Sequence, residues 1–250
     1  MQLPRLAAVF LAAMLSAPAA EKPVHLFILS GQSNMAGMKP EAGFLPEAKT
    51  LFADAEVAFI KVAKGGMPIR DWVAEWDEIA GKHGIDPAAA RGKSKQTGQP
   101  FYQQILAQMK PLMEKHPDPA SITFCWMQGE NDARHKLDAA YADSLKQLVS
   151  NLRRDLKRPD MKVVIGRICD FGKPDDAAWQ AVRKAQVTVA ETDSHGAWVD
   201  CDDLNDKTRD GKTVNDLHYT PEGYKLLGQR YARQAKALVD GKPVAKDGRP

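Results

Sequence analysis

A three-layer α/β/α sandwich around a mainly parallel sheet is the fold class this sequence predicts. Three observations lead there. Short apolar runs alternate along the chain with longer segments of helical spacing. The apolar runs are continuous rather than alternating, as in strands covered on both faces. Each run stops at a cluster of small, polar or charged residues, the sign of a tight loop at a strand's carboxyl end. A chain of 250 residues is long enough for one such domain with a substantial core.

Residues 1–20 stand apart. They carry Arg5, an apolar run over 6–15 and then Ser16-Ala17-Pro18-Ala19-Ala20. A short basic start, a short apolar stretch and small residues read as a secretory signal peptide cleaved near Ala19 or Ala20. The apolar run is too short to span a bilayer comfortably. The expected location is therefore secreted or periplasmic, with no membrane attachment after cleavage, and the domain is expected over 21–239. Its first strand is Val24-His25-Leu26-Phe27-Ile28-Leu29, and its second covers 56–63. Between 75 and 100 lies a long polar insertion, of the kind that borders a functional site or is mobile. Residues 101–114 have helical spacing, with Ile105, Met109, Leu112 and Met113 on one face. A strand follows over 121–127. An amphipathic helix over 137–156 carries a stripe of Leu145, Leu148, Val149 and Leu152. Next come a strand over 162–168, a helix over 176–191 capped by Asp176, and a short strand over 197–199. Thr220 and Pro221 open the last helix, which runs to Val239. The polar, Gly- and Pro-containing tail 240–250 reads as loose.

The formal charge is +3, or 3 − 1 = +2 without Arg5, and no basic block stands out. Nucleic acid and anionic membranes are excluded as expected partners. The sequence carries no signal for oligomeric state. Cys125, Cys169 and Cys201 lie in or just after strand-like runs and lack metal spacing. In an exported protein one pair could be bridged, and buried free thiols are the favoured reading.

Chemistry-bearing residues gather where the strands end. The first strand leads into Ser30-Gly31-Gln32-Ser33-Asn34-Met35-Ala36-Gly37, the second into Gly65-Gly66 and on to Arg70 and Trp72, and the third into Gln128-Gly129-Glu130-Asn131-Asp132. In open α/β sheets this edge is where ligands bind. Ser33 is the candidate nucleophile, and paired glycines offer backbone N–H groups to an oxyanion. Before the final helix, Asn215-Asp216-Leu217-His218-Tyr219 sets a histidine beside a carboxylate, as a general base and its orienting partner require. The other five histidines, His25, His83, His116, His135 and His195, are read as structural. Trp72, Trp76 and Tyr219 could stack on a sugar or simply pack. Arg70 could contact a polar or acidic sugar or be solvated.

Taken in order, Gly31-Gln32-Ser33-Asn34-Met35, Gly65-Gly66 with Trp72, Gln128-Gly129-Glu130-Asn131-Asp132 and Asp216-Leu217-His218 resemble the blocks of the SGNH hydrolase superfamily. More narrowly they resemble the sialate O-acetylesterase domain shared with carbohydrate esterase family 6 acetylxylan esterases. Gly166-Arg167-Ile168 with Trp179, Arg183 and Gln186 is similar to that family as well. The resemblance covers about residues 23–239. It implies a flavodoxin-like SGNH fold and an exported serine esterase that removes O-acetyl groups from a carbohydrate such as sialic acid, xylan or a related glycan, with no metal or organic cofactor. Ser33 is the implied nucleophile, His218 the base and Asp216 its orienting acid. The implied oxyanion donors are the N–H groups of Ser33 and Gly66 and a side-chain amide, either Gln128 or Asn131. Gln32 and Glu130 are implied braces of the site. The superfamily places its acid three residues before the histidine, where this chain has Asn215. Glu130, another carboxylate or a backbone carbonyl therefore stand as alternatives to Asp216. Two other functions stay open: a catalytically silent sugar-binding member of the fold, and a broader SGNH lipase or thioesterase.

Overall fold

The structure, a computed structural model, describes residues 22–91 and 99–245. The expected signal peptide, residues 92–98 of the insertion and the end of the tail lie outside them.

Five parallel strands form the central sheet: β1 (Val24–Gly31), β2 (Glu56–Ala63), β3 (Ser121–Met127), β4 (Lys162–Gly166) and β5 (Gly196–Val199), in the order β2-β1-β3-β4-β5. All seven residues of β3 are buried, as are the last seven of β1, which is why both strands read as unbroken apolar runs. α2 (Phe44–Leu51) and α9 (Pro221–Val239) pack together on one face, and α5 (Pro100–Lys115), α7 (Asp138–Asp155) and α8 (Ala177–Thr192) cover the other. This is the expected three-layer sandwich in flavodoxin-like order, with its switch point between β1 and β3. Register brings the strands to a common finish, because Gly31 pairs with both Ala63 and Met127. At Gly31 φ is +147°, and a Cβ there would lie 1.9 Å from the Met127 carbonyl oxygen. Only glycine lets β1 press against β3 at that point.

The polar insertion is partly helical. It holds α3 (Trp76–Lys82) and α4 (Pro87–Arg91), whose shortness hid them from periodicity. Three further elements were not expected: α1 (Ser33–Gly37), α2, and an antiparallel hairpin of β6 (Asp206–Arg209) and β7 (Lys212–Asn215). α6 (Glu130–Arg134) completes the set. The hairpin's two ends meet: the Asp216 N–H donates to the Asn205 carbonyl (3.3 Å), and Asn205 Nδ2 donates to the Asp216 carbonyl (2.8 Å). Strand β4 stops at Gly166, two residues short of expectation.

Trp72, Trp76 and Tyr219 are buried, so they belong to packing rather than to a stacking surface. Trp72 Nε1 donates to Ser30 Oγ (3.0 Å), which in turn donates to the Val62 carbonyl (2.6 Å). That chain of bonds fastens the segment after β2 beneath β1. All three cysteines are buried and free. From within α9, Gln234 Nε2 donates to the carbonyl of Ala245 in the tail (2.7 Å). No described helix is long and apolar enough to cross a membrane.

Candidate active site

The loops after β1, β2 and β3 and the segment before α9 enclose a cavity of about 320 Å³ at the carboxyl edge of the sheet. Its walls are Gln32, Ser33, Gly65, Gly66, Glu130, Asn131, Arg134, Leu217 and His218. Four sequence blocks, from Gln32 to His218, are thus folded into one concavity.

Ser33 opens α1, directly after the tight β1 exit, where Gln32 N–H still donates to the Met127 carbonyl (2.8 Å). Gly65 packs on it; a Cβ at 65 would sit 3.6 Å from Ser33 Cβ. Gly66, on the cavity wall, has φ +74° with open space where a side chain would project, a conformation that favours glycine. Lys61 braces α1 from β2, its Nζ donating to the carbonyls of Ala36 (3.0 Å) and Met38 (2.5 Å) at the end of that turn.

The two candidate amides of the third block diverge. Gln128 is fully buried and does not line the cavity. Its Nε2 faces Asp132 Oδ2 (2.5 Å), the Met67 carbonyl (3.1 Å) and Gln32 Oε1 (3.3 Å). It ties the three loops together below the cavity floor. Asn131 does line the cavity, and its Nδ2 donates to the Gly66 carbonyl (2.6 Å). Asp132 continues the tie: its two carboxylate oxygens lie 3.1 and 3.4 Å from the Ile69 nitrogen, as acceptors of that N–H.

Two carboxyls near the floor are shifted by burial. Glu130 is pushed up to about 7, mainly by desolvation; the hydrogen bond from Asn34 Nδ2 to its Oε1 (2.9 Å) acts the other way. Its Oε2 is buried with no hydrogen-bond partner among the described residues. Asp132 is pushed up to about 6, again by desolvation, against the hydrogen bonds from Gln128 and Ile69. An unpaired, dehydrated carboxylate is costly, so both groups hold their protons more tightly than in water.

On the opposite wall, Leu217 and His218 follow the hairpin. Asp216 does not line the cavity. Its Oδ1 accepts the His218 main-chain N–H (3.1 Å), and its Oδ2 lies 3.2 Å from Lys207 Nζ. Asn34 joins the two walls, Nδ2 also donating to the Leu217 carbonyl (3.1 Å), while Oδ1 accepts from the Tyr224 hydroxyl (3.2 Å). Arg70 is outside the cavity; it donates to the Ala90 carbonyl (2.7 Å) and lies over Trp76, tying the insertion down.

Sequence reading overlooked Arg134. It is exposed, lines the cavity, and has no hydrogen bond or ion pair to a described residue. Its only signal is position, one turn beyond Asn131 on α6. No group of three or more His, Cys, Asp or Glu residues that could hold a metal ion occurs among the described residues.

Residues 38–237 match the family described as carbohydrate esterase, sialic acid-specific acetylesterase. A probable carbohydrate esterase of Arabidopsis thaliana is 24% identical over 217 residues, 86% of this chain and 68% of that protein. A probable 9-O-acetyl-N-acetylneuraminic acid deacetylase of Escherichia coli (strain K12) is 31% identical over 77 residues, 31% of this chain and 23% of that protein. A solved structure of an Arabidopsis thaliana protein superposes with a TM-score of 0.61 at 19% identity, covering 88% of this chain and all of that one. The fold, the four assembled blocks and a family match over most of the chain agree: the chain belongs to the carbohydrate esterase, sialic acid-specific acetylesterase family.

Proposed function

We propose that this protein is an exported serine esterase that removes O-acetyl groups from an acidic carbohydrate. The observation that carries the reading is the convergence of Ser33, Gly66 and His218, from three separate loops, on one cavity at the sheet's switch point. Export rests on the signal-like segment 1–20.

In the proposed reaction Ser33 Oγ attacks the acetyl carbonyl carbon while His218 takes the hydroxyl proton. The carbonyl π electrons move onto oxygen, and the N–H groups of Ser33 and Gly66 hold that charge, with Asn131 the block-three amide that reaches the same wall. As the carbonyl re-forms, the sugar–oxygen bond to the acyl carbon breaks, and the sugar leaves with the proton from His218. Water then repeats the attack on the acetyl-enzyme, with His218 as base, and acetate departs. Asp216 holds the main chain of His218 and is its proposed orienting acid. Glu130 is the second reading for that role, favoured by its unpartnered Oε2 beside the cavity.

Arg134 favours an acidic sugar over neutral xylan. A guanidinium on the wall with no hydrogen bond to a described residue offers a two-pronged match to a carboxylate, and the one acid in the lining, Glu130, is buried. The test is hydrolysis of 4-nitrophenyl acetate, a longer acyl ester, O-acetylated sialic acid and acetylated xylo-oligosaccharide by the wild type and Ser33→Ala. Acetyl preference, loss with Ser33→Ala and a lower KM for the sialic acid are expected. Activity that survives Ser33→Ala removes the nucleophile. Preference for the long ester supports a lipase or thioesterase, and sugar binding without hydrolysis supports a silent binder.

A further inference from the structure

We infer that Asn34 is a positioning residue that holds the main chain carrying His218 at its working distance from Ser33. The inference rests on the proposed acyl transfer at Ser33. Asn34 follows Ser33 directly on α1, is fully buried and does not line the cavity, so it touches no substrate. Its side chain instead meets three separate parts of the chain. Nδ2 donates to Glu130 Oε1 (2.9 Å) and to the Leu217 carbonyl (3.1 Å), and Oδ1 accepts from the Tyr224 hydroxyl near the start of α9 (3.2 Å). Both amide hydrogens are used. The Leu217 carbonyl can only accept, so turning the amide over would set oxygen against oxygen, and the orientation is fixed by chemistry.

Ser33 and His218 share no hydrogen bond among the described residues, so their spacing depends on what holds their main chains. Leu217 is the residue before His218. Among the described residues, the bond from Asn34 to Leu217 is the one hydrogen bond between α1 and the 216–219 segment. The other donor near that carbonyl is Cys169 Sγ at 3.9 Å, a weak thiol contact. Tyr224 backs the strut, because its ring also closes on the end of α1: a Cβ at Gly37 would lie 2.6 Å from it. A single buried amide thus ties the nucleophile's helix to the base's loop, and Glu130 ties the same amide to the third block.

A misplacement of about 1 Å between reacting groups costs about a hundredfold in rate. Asn34→Ala removes the strut. Asn34→Asp keeps an acceptor for Tyr224 and sets a second oxygen against Leu217 and Glu130. With 4-nitrophenyl acetate, each should lose about a hundredfold in kcat with KM changed less than about threefold. Tyr224→Phe deletes only a hydroxyl, serves if neither Asn34 variant folds, and should lose roughly fivefold in kcat. A double-mutant cycle separates positioning from mere structure. In a His218→Ala background the same substitutions should cost less than about twofold, because the group they position is gone. An equal cost in both backgrounds overturns the inference. So does a folded Asn34→Ala with kcat within about threefold of wild type or, where neither Asn34 variant folds, Tyr224→Phe with wild-type kcat. If Ser33→Ala or His218→Ala keeps the wild-type rate, the acyl-transfer reading falls and takes this inference with it. Loss in both of those variants alongside wild-type behaviour of the Asn34 variants overturns Asn34 alone.

Discussion

The two walls of the cavity are built on opposite principles. On the nucleophile wall, three loops interlock through buried polar groups: Gln32 with the main chain of Gly129 and Asn131, Gln128 with Met67, and Asp132 with Ile69. On the base wall, His218 follows a hairpin whose β7 strand is exposed along its whole length. Asp216 there pairs with the partly exposed Lys207. The contrast suits the tasks proposed for the two walls. Dipoles that hold an oxyanion act best when fixed and dry, whereas a histidine that passes protons to sugar and water gains from a solvated mount.

The most severe way to break the proposed site is to remove either reacting group. Ser33→Ala and His218→Ala should each lower kcat by roughly 10⁴-fold or more, read against the buffer rate. Asp216→Asn should cost about 10³- to 10⁴-fold in kcat while leaving the melting temperature nearly unchanged. If Glu130→Gln takes that loss instead, the orienting acid belongs to the nucleophile wall and the division of labour is redrawn.

Stability should show the reverse asymmetry. Asp132→Ala strands the Ile69 N–H and the Gln128 amide, and should cost about 3 kcal/mol in urea unfolding. Lys207→Met, across the cavity, should cost less than about 1 kcal/mol in the same assay. A further effect concerns pH. Glu130 and Asp132, lifted to about 7 and about 6, bind protons more tightly folded than unfolded. Stability from these groups is therefore highest at the acid end, declines as pH rises from the ordinary carboxylate range to about 7, and then levels off. Each contributes a slope of at most about 1.4 kcal/mol per pH unit. Urea midpoints between pH 5 and 8 should show the decline, and Glu130→Gln should flatten its part between 6 and 7.

The nucleophile wall was largely legible in the sequence and the base wall was not. Buried parallel strands are unbroken apolar runs, so β1, β3 and the loops that follow them announce themselves. The Gly65-Gly66 pair and the Gln128–Asp132 block read as a site for the same reason. The hairpin over 206–215 has no apolar face to betray it, and α1 to α4 span five to eight residues, too few for periodicity to register. The choice between Gln128 and Asn131 is a matter of which way α6 turns after Gly129, and that depends on contacts with Gln32, almost a hundred residues earlier. Arg134 carried no local signal, because a solvated arginine and a substrate-facing one look alike in sequence.

The clasp between Asn205 and Asp216 gives the base wall a further property. Because entrance and exit of the hairpin coincide there, the ten residues between them form an interchangeable cassette. It can be trimmed or traded for another of different length without disturbing the strand ladder or the start of α9. Lys207 links this hairpin to Asp216, so an exchange of 206–215 that keeps a lysine at 207 leaves the proposed orienting acid its partner.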